Sequence, residues 1–162
     1  LHIVWLLFIK PRSKRVMIAV QAGVSVLFGA AALFTIAYNW PVSFIVLGMW
    51  LIGYSASSHV LNAYDEEKHT QFISLAWGAI MAEIGWICYH WTIAYPLPFV
   101  SSLMLPQVAI IATLVSFLAY KIYDSFYRYQ KIRTQDIMLP FLFTASIIVV
   151  LLVFFNHIGS AV

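Results

Sequence analysis

Charge is scarce in this sequence: Asp, Glu, Lys and Arg make up 9% of its 162 residues, against 63% hydrophobic ones. A soluble domain carries about 25% charged residues. A water-soluble globule of this size could not cover its surface with so few polar groups, so part of its solvent must be lipid. Cysteine is almost absent. Cys88 stands alone, which excludes a disulfide framework within the chain and any multi-cysteine metal or iron–sulfur site. Enzyme signatures are missing too: there is no GxSxG elbow, no HExxH pair, no Walker loop and no Gly-rich dinucleotide fingerprint. No basic patch interleaved with aromatics stands clear of the apolar segments, so no nucleic-acid partner is expected. No cofactor and no metal are expected either.

The charge that is present is grouped. Fourteen of the fifteen charged side chains fall in three clusters, Lys10 to Arg15, Asp65 to Lys68 and Lys121 to Asp136, and the fifteenth is Glu83. The apolar stretches between clusters are long enough to cross a bilayer and return, which takes about 20 residues each way. The pattern predicts an all-α polytopic transmembrane helical bundle forming one integral membrane domain over 1–162. Its complete spans are expected at 16–38, 42–59, 70–92, 99–122 and 137–157. Residues 1–9 read as a partial sixth span: nine helical residues rise only about 14 Å, and the positive residues follow the run rather than preceding it as in a signal peptide.

Lys and Arg number four, one and four in the three clusters, whereas the connections 39–41 and 93–98 carry no charge. The positive-inside tendency places the charged loops in the cytoplasm and the C-terminus on the opposite side. Tyr38, Trp40, Tyr89, Trp91 and Tyr95 gather at the uncharged boundary, and Tyr54, Tyr64, Tyr120, Tyr123, Tyr127 and Tyr129 at the charged one, as amphipathic rings do at headgroup level. Trp77 and Trp86 lie deeper and are expected to pack on neighbouring helices. The tetrapeptide Thr35 to Tyr38 recurs as Thr92 to Tyr95, with Pro41 and Pro98 three residues further on. Repeated two-helix hairpins would produce that echo, and so would chance in so biased a composition.

Glu83 carries most of the chemical interest. A charged side chain deep in a span costs roughly 2.5–3.5 kcal/mol on insertion scales, so Glu83 is expected to face the bundle interior. Ala79, Trp86, Ile87 and His90 share its helical face, and Gly78, Ala82 and Gly85 form an adjoining stripe where another helix can approach closely. Two uses of Glu83 are open: a proton or ion relay with His90, or a neutral acid bonded to Gln107, Gln21 or Ser25. Pro106 is expected to kink the fourth span and free the carbonyl of Ser102, so that Trp86, Ser102 and Gln107 line a polar cavity. Thr70 is expected to cap the third span.

The helix through 120–133 continues beyond the apolar run, where Asp124 and Arg128 can pair at i,i+4. The stretch reads first as an amphipathic helix end solvated on one side and resting on the headgroups, and second, through Lys121, Arg128, Lys131 and Arg133, as a docking face for anionic lipid or a partner. His90 and His157 meet the minimum for axial haem ligands and nothing else supports haem. Ser55, Ser57, Ser58 and His59 would need an acid from the 65–67 loop to do lipid-directed chemistry. The leading functional expectation is a small ion- or proton-coupled transporter or channel-like protein, titrating at Glu83 and working in the lipid bilayer, as a homo-oligomer or with other membrane subunits. The alternative is a non-catalytic subunit or scaffold docking through 120–133. An enzyme ranks below both.

Overall fold

The computed structural model describes residues 15–37, 39–64, 67–91, 93–97 and 100–154. Five helices are long and apolar enough to cross a membrane: α1 (Arg15–Ile36), α2 (Val42–Leu61), α3 (Thr70–Tyr89), α4 (Gln107–Tyr129) and α5 (Thr134–Phe154). The partial span at 1–9, His157 and the C-terminal tail fall outside the described residues. Local chemistry sets the boundaries. Pro41, with φ of −55°, precedes α2, where a missing N–H costs no helical bond. At the end of α4, Gln130 turns left-handed (φ 53°) and returns its N–H to Phe126 O at 2.8 Å, as an αL terminus does. Thr70 does not cap α3 through its side chain. Its hydroxyl donates to Glu67 O at 3.4 Å, and the His69 N–H is met by the Glu67 carboxylate at 2.8 Å.

The fourth span departs from expectation. Two antiparallel strands stand here instead, β1 (Ala94–Leu97) with β2 (Val100–Pro106), paired from Ala94↔Pro106 to Leu97↔Val100 with an irregularity after Pro96. Pro106 therefore does not kink a helix; it ends β2 and precedes the first residue of α4. The reason is steric: a residue before proline is pushed out of the α region, which acts at Tyr95, Leu97 and Leu105. The expected freeing of the Ser102 carbonyl by a kink does not arise, because Ser102 lies in a strand. Thr35 and Ile36 of the repeated tetrapeptide end a helix, whereas Ala94 and Tyr95 of the second copy lie in β1.

Antiparallel packing brings the described charged segments to one end. Arg15 at the start of α1 donates to Ala63 O at 3.3 Å, and Tyr64 after α2 reaches Asp124 of α4 at 3.3 Å. At the other end, the Tyr89 hydroxyl donates to Trp40 O at 3.0 Å, and Gln107 N donates to Ile93 O at 2.7 Å. The core occupies this uncharged half: Val26, Ala30 and Phe34 of α1, Ile45 and Met49 of α2, Met81 of α3, and Val108, Ala109 and Ala112 of α4. The outer surface is apolar as well, with Phe72 at 74% and Leu139 at 79% exposure. Water would penalise such a surface; hydrocarbon does not. Helix α5 packs on α4 and buries only Thr144 among its residues.

Candidate functional site

The tightest packing in the bundle is between α2 and α3, and it determines where Glu83 points. Ser74, Gly78, Met81 and Gly85 are the buried residues of α3. A Cβ built on Gly53 would meet Met81 Cγ at 2.6 Å, and one on Gly85 would meet Met49 Cγ at 2.6 Å. The small-residue stripe therefore forms the interior face, because it lets the backbones approach. Glu83 lies on the opposite face and is exposed, together with Phe72, Ala79, Trp86, Ile87 and His90. This corrects the expectation that Glu83 faces the bundle interior of a single chain. Trp86 likewise points outward at 54% exposure, edge-on to His90 with ring centroids 5.3 Å apart, whereas Trp77 packs against the core. Glu83 stands thirteen residues after the first residue of α3, a rise of about 20 Å from the charged end.

Gln107 is buried at 4% exposure, but at the base of the hairpin beside Tyr95. It is not brought to Glu83 and does not line the main cavity; the Ser102 side chain is outside those described. Among the described residues, no three of His, Cys, Asp and Glu come together as metal ligands.

The charged end holds an arrangement that residue spacing did not reveal. The Arg15 guanidinium sits over the rings of Tyr64 and Tyr127 at 4.8 and 4.9 Å. Tyr64 also packs edge-on against Tyr123 and Tyr127, at centroid distances of 5.0 and 4.6 Å. Asp124, buried at 8% exposure, accepts from Tyr64 and pairs with Arg128 at 2.8 Å. Tyr123 donates to the Glu67 carboxylate. Burial, then the facing Asp124 carboxylate, pushes the Tyr64 phenol well above its ordinary range. These tyrosines thus clamp α1, the α2–α3 loop and α4 to one another. The proposed docking residues divide. Arg128 is engaged by Asp124, Arg133 stacks on Tyr129 at 4.5 Å, and Lys131 is exposed.

The Tyr123 hydrogen bond, then the His69 N–H, holds the Glu67 carboxyl below its usual value of 4.5. A depressed carboxylate stabilises the fold above its unfolded pKa and loses that contribution as pH falls through the folded value. Glu67→Gln is therefore expected to lower stability at neutral pH by less than about 1 kcal/mol, given solvent screening. It should also flatten the loss of stability that the parent shows below pH 4.5, as measured by thermal unfolding in detergent across pH.

Two cavities occupy the charged half. The larger, about 590 Å³, is bordered by α1, α2, α3 and α4 and by Phe143 of α5. Val16, Val20 and Gly23 of α1, Ala56 and Val60 of α2, Ala76 and Ile80 of α3, and Thr113 and Phe117 of α4 line it, with Tyr120, Lys121 and Tyr123 at its charged end. The smaller, about 330 Å³, brings together Ser25, Ser55 and His59 between α1 and α2. Glu67, the described acid of the adjoining loop, accepts from Tyr123 and from His69 N–H.

Compared with known proteins, the chain matches no family model, no curated protein and no solved structure.

Proposed function

We propose that the protein is a small ion- or proton-coupled membrane transporter that works as a self-associated assembly, with Glu83 titrating at the contact between copies and His90 as the next station. The observation that supports it is the exposure of Glu83 in the middle of an otherwise apolar face of α3. A carboxyl left against lipid costs roughly 2.5–3.5 kcal/mol, and covering that face with a second helix removes the cost. Two copies inserted in the same orientation and related by a two-fold axis bring Glu83 to Glu83 at one depth. That isologous contact is self-complementary, since two carboxyls can share hydrogen bonds when a proton lies between them. The chain has no Lys or Arg between 69 and 120, so no cation from a second copy can neutralise Glu83 at that depth, and protonation is the remaining route. In this reading the charged loops are cytoplasmic and the hairpin end faces outward.

Carbodiimide labelling of Glu83 in native membranes across pH, located by mass spectrometry with Glu83→Gln as control, tests the titration. Labelling is expected to fall as pH rises through the neutral range. No labelling at any pH, with Glu83→Gln folded normally, would mean a sealed structural acid. It would also move the reading to the alternative, a non-catalytic subunit or scaffold docking through 120–133. That alternative has its own support in Lys121 and Lys131, which have no carboxylate contact among the described residues.

A further inference from the structure

The geometry points to a binding site, separate from the Glu83 face, for a single-chain membrane amphiphile with an anionic head, its tail in the 590 Å³ cavity and its head at Lys121. Volume is the first reason. Pockets that take small organic ligands run from about 300 to 1,000 Å³ and are mostly apolar with a few placed polar groups. This one has apolar walls over most of its length and gathers Tyr120, Lys121 and Tyr123 at one end. Position is the second. The polar end coincides with the charged end of the bundle, at headgroup depth, and the apolar part reaches the core at Val26. An occupant therefore meets a gradient from charge to hydrocarbon along the same axis as a lipid in the surrounding leaflet.

Charge decides the head. Lys121 Nζ stands 5.9 Å from the ring centroids of Phe117 and Tyr120 and makes no ion pair among the described residues. The described carboxylates of the charged end have other partners: Asp124 has Arg128 and Tyr64, Glu67 has Tyr123 and the His69 N–H, and Asp136 has the Ser125 hydroxyl. Lys121 can thus meet a carboxylate or phosphate head without displacing an internal partner, whereas a cationic head would be repelled. A solvated Lys does this as a point charge on a flexible stem, while its methylenes remain against the apolar wall.

The test uses the full chain in neutral-lipid liposomes, with a diazirine-bearing palmitate as probe and its primary amide and trimethylammonium analogues as comparators. Gly23 lines the cavity, and a Cβ built there meets nothing within 4 Å, so Gly23→Phe fills the space without forcing the helices apart. The palmitate probe is expected to label peptides from 16–26 and 113–123 at least fivefold more than either analogue. Gly23→Phe should remove that labelling, and Lys121→Gln should erase the preference for the acid while neutral labelling persists. Equal labelling by all three probes, labelling indifferent to Gly23→Phe, or no labelling of these peptides because another part of the protein fills the space would each overturn the proposal. Self-association and Glu83 titration are read separately, so either reading can fail without the other.

Discussion

Glu83→Leu is expected to abolish coupled flux in proteoliposomes and to weaken self-association by about 3- to 30-fold. The second figure comes from polar contacts between membrane helices, which contribute about 0.6–2 kcal/mol, converted at 1.4 kcal/mol per tenfold. The physical cause is one group with two effects. On the proposed pairing, the carboxyl of a separated copy would face hydrocarbon from its exposed position on α3, and in the pair it would exchange that environment for a hydrogen-bonded partner. Leucine removes the penalty from the separated state and the bond from the paired state, and both changes move the equilibrium toward single chains. The fold itself should not suffer, since Glu83 makes no hydrogen bond or ion pair among the described residues and the interior face of α3 is formed by Ser74, Gly78, Met81 and Gly85. Glu83→Gln separates the two effects. An amide still bonds across the contact but does not titrate, so association should persist while coupled flux is lost. Dye-based proton flux and the concentration dependence of self-association in bilayers read the two independently. A leucine variant that pairs as tightly as the parent would remove Glu83 from the contact.

Gly53→Val is expected to be the most damaging single substitution for stability. A Cβ at 53 falls 2.6 and 2.7 Å from Met81 Cγ and Cβ and 3.3 Å from the Gly78 Cα. Met81 Cβ and the Gly78 backbone cannot swing away as a side-chain tip can, so α2 and α3 must separate. Overpacking a well-filled core costs about 1–3 kcal/mol, and a branched side chain on the closest-packed pair belongs at the upper end. Gly48→Ala is a graded comparison. Its Cβ would meet Leu33 Cδ2 at 2.7 Å, the mobile end of a side chain, so the loss should be smaller. Gly23→Ala is the opposite control: its Cβ meets nothing within 4 Å, and replacing a helical glycine should stabilise by up to about 1 kcal/mol. Unfolding in mixed micelles should therefore rank Gly53→Val below Gly48→Ala, and Gly48→Ala below Gly23→Ala. If Gly53→Val matches the parent, the close approach of α2 and α3 is not what holds the bundle.

Much of the architecture was legible because length and apolar content dominate it. The starts of α1, α2 and α3 and the turn at Pro41 follow from runs bounded by charge or proline, and the i,i+4 pair of Asp124 and Arg128 followed from spacing alone. The fourth span was misplaced by eight residues at its start because hydropathy does not separate an apolar strand from an apolar helix. The prolines at 96, 98 and 106 were the signal that did, each lacking the N–H that a helix interior needs and biasing the residue before it away from helix. The face chosen by α3 was not legible either. Polarity argued for Glu83 inside and residue size argued for Gly78 and Gly85 inside; close backbone packing won. The clamp of Arg15 by Tyr64 and Tyr127 unites three distant segments, and no local spacing encodes it.

Cysteine crosslinking in native membranes reads whether a second copy covers the α3 face around Glu83. In a Cys88→Ser background, single cysteines at Ala79 and Ile87 would be compared with cysteines at Phe28 on α1 and Leu142 on α5, all four positions being exposed in the single chain. Rapid intermolecular disulfides at 79 and 87, with slow ones at 28 and 142, are the predicted result. No crosslinking on α3, or crosslinking on α5 alone, would mean that no second copy covers Glu83.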